Sequence, residues 1–135
     1  MRIFYSIWEW LIDRPARLRA FCERGWNGWA KDDTWNYDLY LSKIISEGLI
    51  HLKSYKQGTP PEIYKKYDKK GVSQEVKDAQ ANDEWEEKLE KIIFAFKLSK
   101  ELINGDISIE DEKEVNKYIN EGMKLFIRYY FNLWN

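Results

Sequence analysis

The stretch DDTWNYDLYLSKIISEGLIHL, residues 32–52, constrains the fold of this chain most strongly. Its apolar residues Trp35, Leu41, Ile45, Leu49 and Leu52 recur at a spacing that gathers them on one stripe of an α-helix. Asp32, Asp33 and Thr34 stand at its head and mark an N-terminal cap. A side-chain oxygen there accepts a bond from an unpaired amide of the first turn, and negative charge suits that end of the helix dipole. Asp38 breaks the pattern, because it falls on the edge of the stripe, one turn after Trp35 and one turn before Leu41. A carboxylate in that position must be paired, hydrogen-bonded or used.

The remaining segments also read as helices, and no strand-period run or internal repeat is evident. Residues 3–12 predict a short helix with Phe4, Ile7, Trp8 and Leu11 on one face. Asp13 caps a second helix from Pro15 to Arg24, which turns Leu18, Phe21 and Cys22 inward and ends at Gly25. Trp26, Asn27, Gly28 and Trp29 form a loop that feeds the capped helix. Residues 53–82 are polar and broken by Gly58-Thr59-Pro60-Pro61, with a short helix at 62–69. A segment of this length and composition reads as a lid or loop insertion. Asn82 or Asp83 caps the next helix, whose core stripe is Trp85, Leu89, Ile92, Ile93 and Phe96, and Gly105 ends it. Ser108 and Asp111 resemble a capping box before a last helix from about Ile109 to Leu133. Val115, Ile119, Gly122, Phe126, Tyr129 and Leu133 face inward there. The expected fold is all-α: a single compact helical bundle over residues 1–135, with three long helices and two or three short ones.

Composition narrows the function. The 135 residues carry a formal net charge of -1, which argues against general nucleic-acid binding through a basic field. Aromatic residues make up 16%, including seven Trp and nine Tyr, and these serve cores, interfaces and flat ligands alike. Cys22 is the only cysteine, so no internal disulfide can form, and it reads as a small buried side chain. The apolar amino terminus contains Glu9 and Asp13 and has neither the length of a membrane span nor a cleavage site. The expectation is a cytoplasmic protein with no membrane partner.

Three groups of residues could carry chemistry. Glu86, Glu87 and Glu90 spell EExxE, the carboxylate spacing with which all-α nucleotide pyrophosphatases hold magnesium. The answering ExxD is missing, because Glu110, Asp111 and Glu112 do not reproduce it. Lysines surround the motif, so a solvated face of intrahelical ion pairs is the expected role and no metal is assigned. His51, the only histidine, shares a helix face with Glu47 but has no second histidine to complete a metal site. It reads as a core-edge histidine bonded to Glu47 or a tyrosine. The third group is Arg17, Arg24, Trp26, Trp29, Asp33, Trp35, Tyr37, Asp38 and Lys43, clustered in sequence around the turn. Arginines make bidentate phosphate contacts, indoles and phenols stack on bases, and a carboxylate binds a ribose hydroxyl or base amine. These residues, with His51, form the expected ligand-binding set, and no catalytic residue or cofactor is assigned. The competing reading makes the tryptophans core and the arginines solvated.

The run from Trp29 through Asp33, Trp35, Asp38, Tyr40, Leu41, Leu49 and Leu52, followed by Trp85, Leu89, Ile92 and Phe96, resembles a family of small helical proteins encoded in bacteriophage and prophage genomes. The likeness covers the middle two thirds of the chain. Members tend to carry His-Gly-Tyr-Pro in the turn, where this chain has Gln57-Gly58-Thr59-Pro60. The resemblance implies a phage setting, hence a host-cell cytoplasm, and small phage proteins without an enzyme signature often act on the host. The leading expectation is an anti-defence sponge that sequesters a nucleotide-derived immune signal without catalysis, as a homo-oligomer joined through Phe126 to Trp134. The alternatives are a magnesium-dependent nucleotide hydrolase using Glu86, Glu87 and Glu90 with Asp38, and a protein-binding inhibitor of a host factor.

Overall fold

The structure, a computed structural model, describes the backbone of residues 2–56, 58–108 and 111–134, and side chains from residue 14 onward within those ranges. The chain is all-α. Its order is α1 (Arg2–Asn27), a 3-10 turn (Lys31–Asn36), α2 (Tyr37–Tyr55), α3 (Pro61–Tyr67), α4 (Gln74–Asn104), α5 (Glu112–Tyr129) and a terminal 3-10 turn (Tyr130–Asn132). No strand occurs among the described residues. The helices group into two compact units, Met1–Tyr40 and Leu41–Asn135, and the division falls in the first turn of α2.

The first unit is α1 followed by the 3-10 turn. The expected break at Asp13 and Pro15 does not occur, and α1 is a single helix with Pro15 inside it. Proline there forfeits one backbone bond, and helix on both sides carries the chain through. Gly25 does not stop the helix. The stop is Gly28, whose φ of 82° places it in the left-handed region and whose N–H bonds the Arg24 carbonyl at 2.9 Å. Trp26 and Asn27 therefore belong to the helix, not to a loop. The Phe4, Ile7, Trp8 and Leu11 face lies outside the described side chains. Cys22, expected to be buried, is exposed.

In the second unit α4 is the central element. Its predicted stripe is buried in full: Trp85, Leu89, Ile92, Ile93 and Phe96 form one cluster with Leu49 of α2, Ile63 of α3 and Tyr129 of α5. Side chains of this size each contribute about 1.5–3 kcal/mol when removed from water. Trp85 meets the edge of Tyr129 at 5.3 Å between centroids, and Phe96 meets Phe126 at 5.1 Å. Gly122 lets α5 approach α4, since a Cβ there would lie 2.2 Å from the Ala95 Cβ and 2.7 Å from the Lys91 carbonyl oxygen. The helix ends where its sequence predicts, with Gly105 at φ 75° and the Gly105 and Asp106 amides bonded to Leu102 and Glu101.

The start of α4 is earlier than Asn82 or Asp83. Ser73 is the N-cap, accepting from the Val76 amide, so residues 74–82 are helix. The polar segment also reaches the core: Ile63 is fully buried, and Tyr64 and Tyr67 pack against the cluster. Ahead of α5, the Ser108 hydroxyl donates to the Asp111 carboxylate at 2.7 Å, where a capping box would have it accept a backbone amide. The predicted inward face of α5 is present, with Gly122 and Tyr129 buried and Val115, Ile119, Phe126 and Leu133 half-buried.

Glu84 ties α3 to α4. It accepts from Lys66 at 2.6 Å and Tyr67 at 2.7 Å, with Lys88 at 3.2 Å. The Lys66 ammonium above all, helped by the Tyr67 hydroxyl and Lys88, holds its carboxyl down at about 2. A carboxyl lowered on folding stabilises above its unfolded pKa and loses that contribution as pH falls toward the folded value. Stability is therefore expected to drop between about pH 4.5 and pH 2, by ~1 kcal/mol from this group after solvent screening. Glu84→Gln should flatten that limb of a stability-versus-pH curve measured by urea unfolding. An unchanged acid limb would remove Glu84 as its source.

Candidate functional site

The ten residues assigned to a ligand site from sequence divide between the two units. In the first unit, Arg24 and Asp33 are brought together. The guanidinium donates through Nε at 2.9 Å and Nη2 at 2.5 Å to the two carboxylate oxygens, a bidentate pair. Asp33 also accepts from the Ala30 amide at 2.8 Å, which is how it caps the 3-10 turn. The Arg24 bond holds the Asp33 carboxyl below its ordinary value, and the same bond raises the guanidinium. Both charges thus serve the turn. Glu23 braces it further by accepting the Lys31 amide at 2.8 Å, and the Tyr40 hydroxyl donates to the Gly28 carbonyl at 2.6 Å.

The aromatic members of the set stand in solvent. Trp26 is 91% and Trp35 86% exposed, and of the stripe predicted with Trp35 only Leu49 is buried, Ile45 and Leu52 being half-buried and Leu41 exposed. Trp29 and Tyr37 are also exposed, with the Tyr37 ring stacked on Tyr40 at 6.0 Å. Arg17 is exposed on α1. Asp38 is exposed as well, and its carboxylate accepts the adjacent Leu39 amide at 2.8 Å. Its contact is local backbone, not a buried partner side chain. Lys43 and His51 fall in the second unit, both exposed, and the His51 ring lies 4.6 Å from that of Tyr55.

A groove with the dimensions of a ligand site lies elsewhere. A groove of about 980 Å³ runs along α4 between the second half of α2 and the start of α5. Its apolar lining is Ile50, Ile93, Phe94 and Tyr118. Phe94 and Tyr118 meet edge to face at 5.9 Å and remain 49% and 43% exposed. Helical spacing sets Lys97 one turn from Phe94. Among the described residues Lys97 has no ion pair or hydrogen bond.

The EExxE motif lines the other end of this groove together with Glu121 of α5. Each carboxylate is answered by lysine. Glu86 accepts from Lys56 at 2.9 Å, Glu90 from Lys53 at 2.5 Å, and Lys91 lies 3.2 Å from Glu87 and 3.4 Å from Glu121. The nearly buried Lys56 ammonium is the main cause holding the Glu86 carboxyl below its usual range. Glu87 and Glu121 in turn raise Lys91. The sequence predicts intrahelical pairs on a solvated face, but only Glu87–Lys91 is one, while Glu86, Glu90 and Glu121 are paired with lysines of other elements. Among the described residues no three His, Cys, Asp or Glu side chains are grouped so as to hold a metal ion. Sequence reasoning missed Phe94, Lys97 and Tyr118. The available signal was that Phe94 and Tyr118 are large rings off the inward stripes of their helices.

Among the described residues no helix is long and apolar enough to cross a membrane. No protein-family model, curated protein or solved structure was found to match this chain.

Proposed function

We propose that this chain is a binding protein that takes a nucleotide-like anion into the groove along α4. One observation carries the reading: two half-exposed rings, Phe94 and Tyr118, adjoin a lysine without a counter-charge among the described residues, in a groove of about 980 Å³. Ligand pockets are commonly about 300–1,000 Å³, and this groove, at the upper end of that range, joins an apolar part to seven charged side chains. The rings offer faces for a base, Lys97 offers a phosphate contact, and the carboxylates at the far end accept from amines or hydroxyls. Lys53, Lys56 and Lys91 are engaged by these carboxylates, which leaves Lys97 as the lysine of the groove that is open to a phosphate. We propose with it a phage setting and a sponge role, in which a nucleotide-derived immune signal is held and not consumed.

The hydrolase reading draws on the same groove through Glu86, Glu87 and Glu90, but it requires magnesium to displace three lysine contacts. The two readings separate in one experiment. The protein is incubated with cyclic and linear adenine nucleotides, with and without magnesium, then heat-denatured, and the released molecules are identified. Sequestration predicts intact release. Magnesium-dependent loss would favour the hydrolase, and no retention of any nucleotide would leave the aromatic surface as a protein-binding one.

A further inference from the structure

The second unit carries an apolar surface that the proposed ligand groove does not use. We infer that two copies of this chain join through that surface, centred on Gly48 of α2 and Phe131 beyond α5. A hollow of about 440 Å³ lies between α2 and the end of α5, lined by Ile44, Gly48, Leu52, Phe126 and Leu133 among others. No Asp, Glu, Lys or Arg lines it, and His51 is the one titratable side chain in its lining, so a twofold contact at neutral pH brings few charges together.

Gly48 forms part of its floor. Unlike Gly122, it is not demanded by packing within the chain, because a Cβ there meets nothing within 4 Å. Glycine inside a helix is disfavoured, and here the space it leaves opens into the hollow. Phe126 and Leu133 of its lining are neighboured in the chain by Ile127, Tyr130, Phe131 and Trp134, at 74%, 56%, 89% and 62% exposure, and Trp134 also lies against the Gly58-Thr59-Pro60 turn. The rings are set in place: Phe126, Tyr130 and Phe131 follow one another edge to face at 5.6 and 5.4 Å. Arg128, the charged residue in this run, is already held by Glu62.

The Phe126–Tyr130–Phe131 ring chain joins the hollow to an exposed projection, and a recess with an adjoining projection suits a closed isologous pair. Aromatic side chains cover about 150–250 Å² each. With the two isoleucines, the exposed patch therefore offers roughly 600 Å² per copy, or about 1,200 Å² in total, the lower bound for a stable specific interface.

The test is sedimentation equilibrium of the full chain over a concentration series. The inference predicts a particle of twice the 16.4 kDa chain mass. Phe131→Asp should weaken association at least ~100-fold, as loss of a central aromatic anchor does. Gly48→Ala should weaken it about tenfold or more, by filling the hollow, while leaving the melting temperature of the dissociated chain unchanged or higher. That pairing separates a lost interface from a lost fold. Phe21→Asp, an exposed change in the first unit, should leave association intact. A wild-type chain monomeric at high micromolar concentration would overturn the inference. So would a dimer indifferent to Phe131→Asp and Gly48→Ala, or one abolished by Phe21→Asp.

Discussion

Gly122→Ala is expected to destabilise the protein by about 2 kcal/mol, although alanine is the better helix former by about 1 kcal/mol. The added methyl would lie 2.2 Å from the Ala95 Cβ and 2.7 Å from a backbone oxygen of α4. Neither obstacle is the far end of a flexible side chain, so the helices themselves must separate. The separation loosens the contacts that flank it, Phe96 with Phe126 on one side and Lys91 with Glu121 on the other. Urea unfolding measures the change directly. A midpoint equal to or above wild type would mean that α4 and α5 are not in this close contact.

Trp85→Ala is expected to cost about 3–5 kcal/mol, a large share of the about 5–15 kcal/mol that holds an ordinary domain folded. Trp85 is 2% exposed and sits where α3, α4 and α5 converge, against Tyr129. Trp35→Ala makes the opposite prediction. At 86% exposure, Trp35 should tolerate truncation within about 0.5 kcal/mol. The two variants delete the same atoms, so their difference measures burial alone. Near-equal losses would contradict the assignment of Trp85 to the core and of Trp35 to the surface.

That contrast also marks what the sequence could reveal. Trp85 belongs to a stripe that keeps one helical period from Trp85 to Phe96, and period alone places it correctly. Trp35 looks equally well placed with respect to Leu41, Ile45 and Leu49, but it lies in a 3-10 turn, Lys31–Asn36. A 3-10 turn advances by three residues per turn, so a ring there leaves the face that α2 later buries. Of the two aspartates that signal the helix start only Asp33 caps: it serves the 3-10 turn from its third position, accepting the Ala30 amide and fixing Arg24 with it, while Asp32 faces Arg19. Pro15 and Gly25 are strong breakers in general, but a breaker inside α1 did not break it. The groove was illegible for another reason. Ile50, Phe94 and Tyr118 come from three helices, and only their packing brings rings and Lys97 to one hollow.

The claim that joins these observations is that the α4 groove, not the N-terminal aromatic turn, takes the ligand. Thermal melting of wild type, Lys97→Ala and Arg24→Ala with a panel of adenine nucleotides tests it most directly. A ligand at one hundred times its dissociation constant stabilises the folded chain by about 2.7 kcal/mol, a shift of several degrees. The groove predicts that a nucleotide raises the wild-type midpoint, that Lys97→Ala loses at least half of the rise, and that Arg24→Ala keeps it. A rise that survives Lys97→Ala and vanishes in Arg24→Ala would contradict the account.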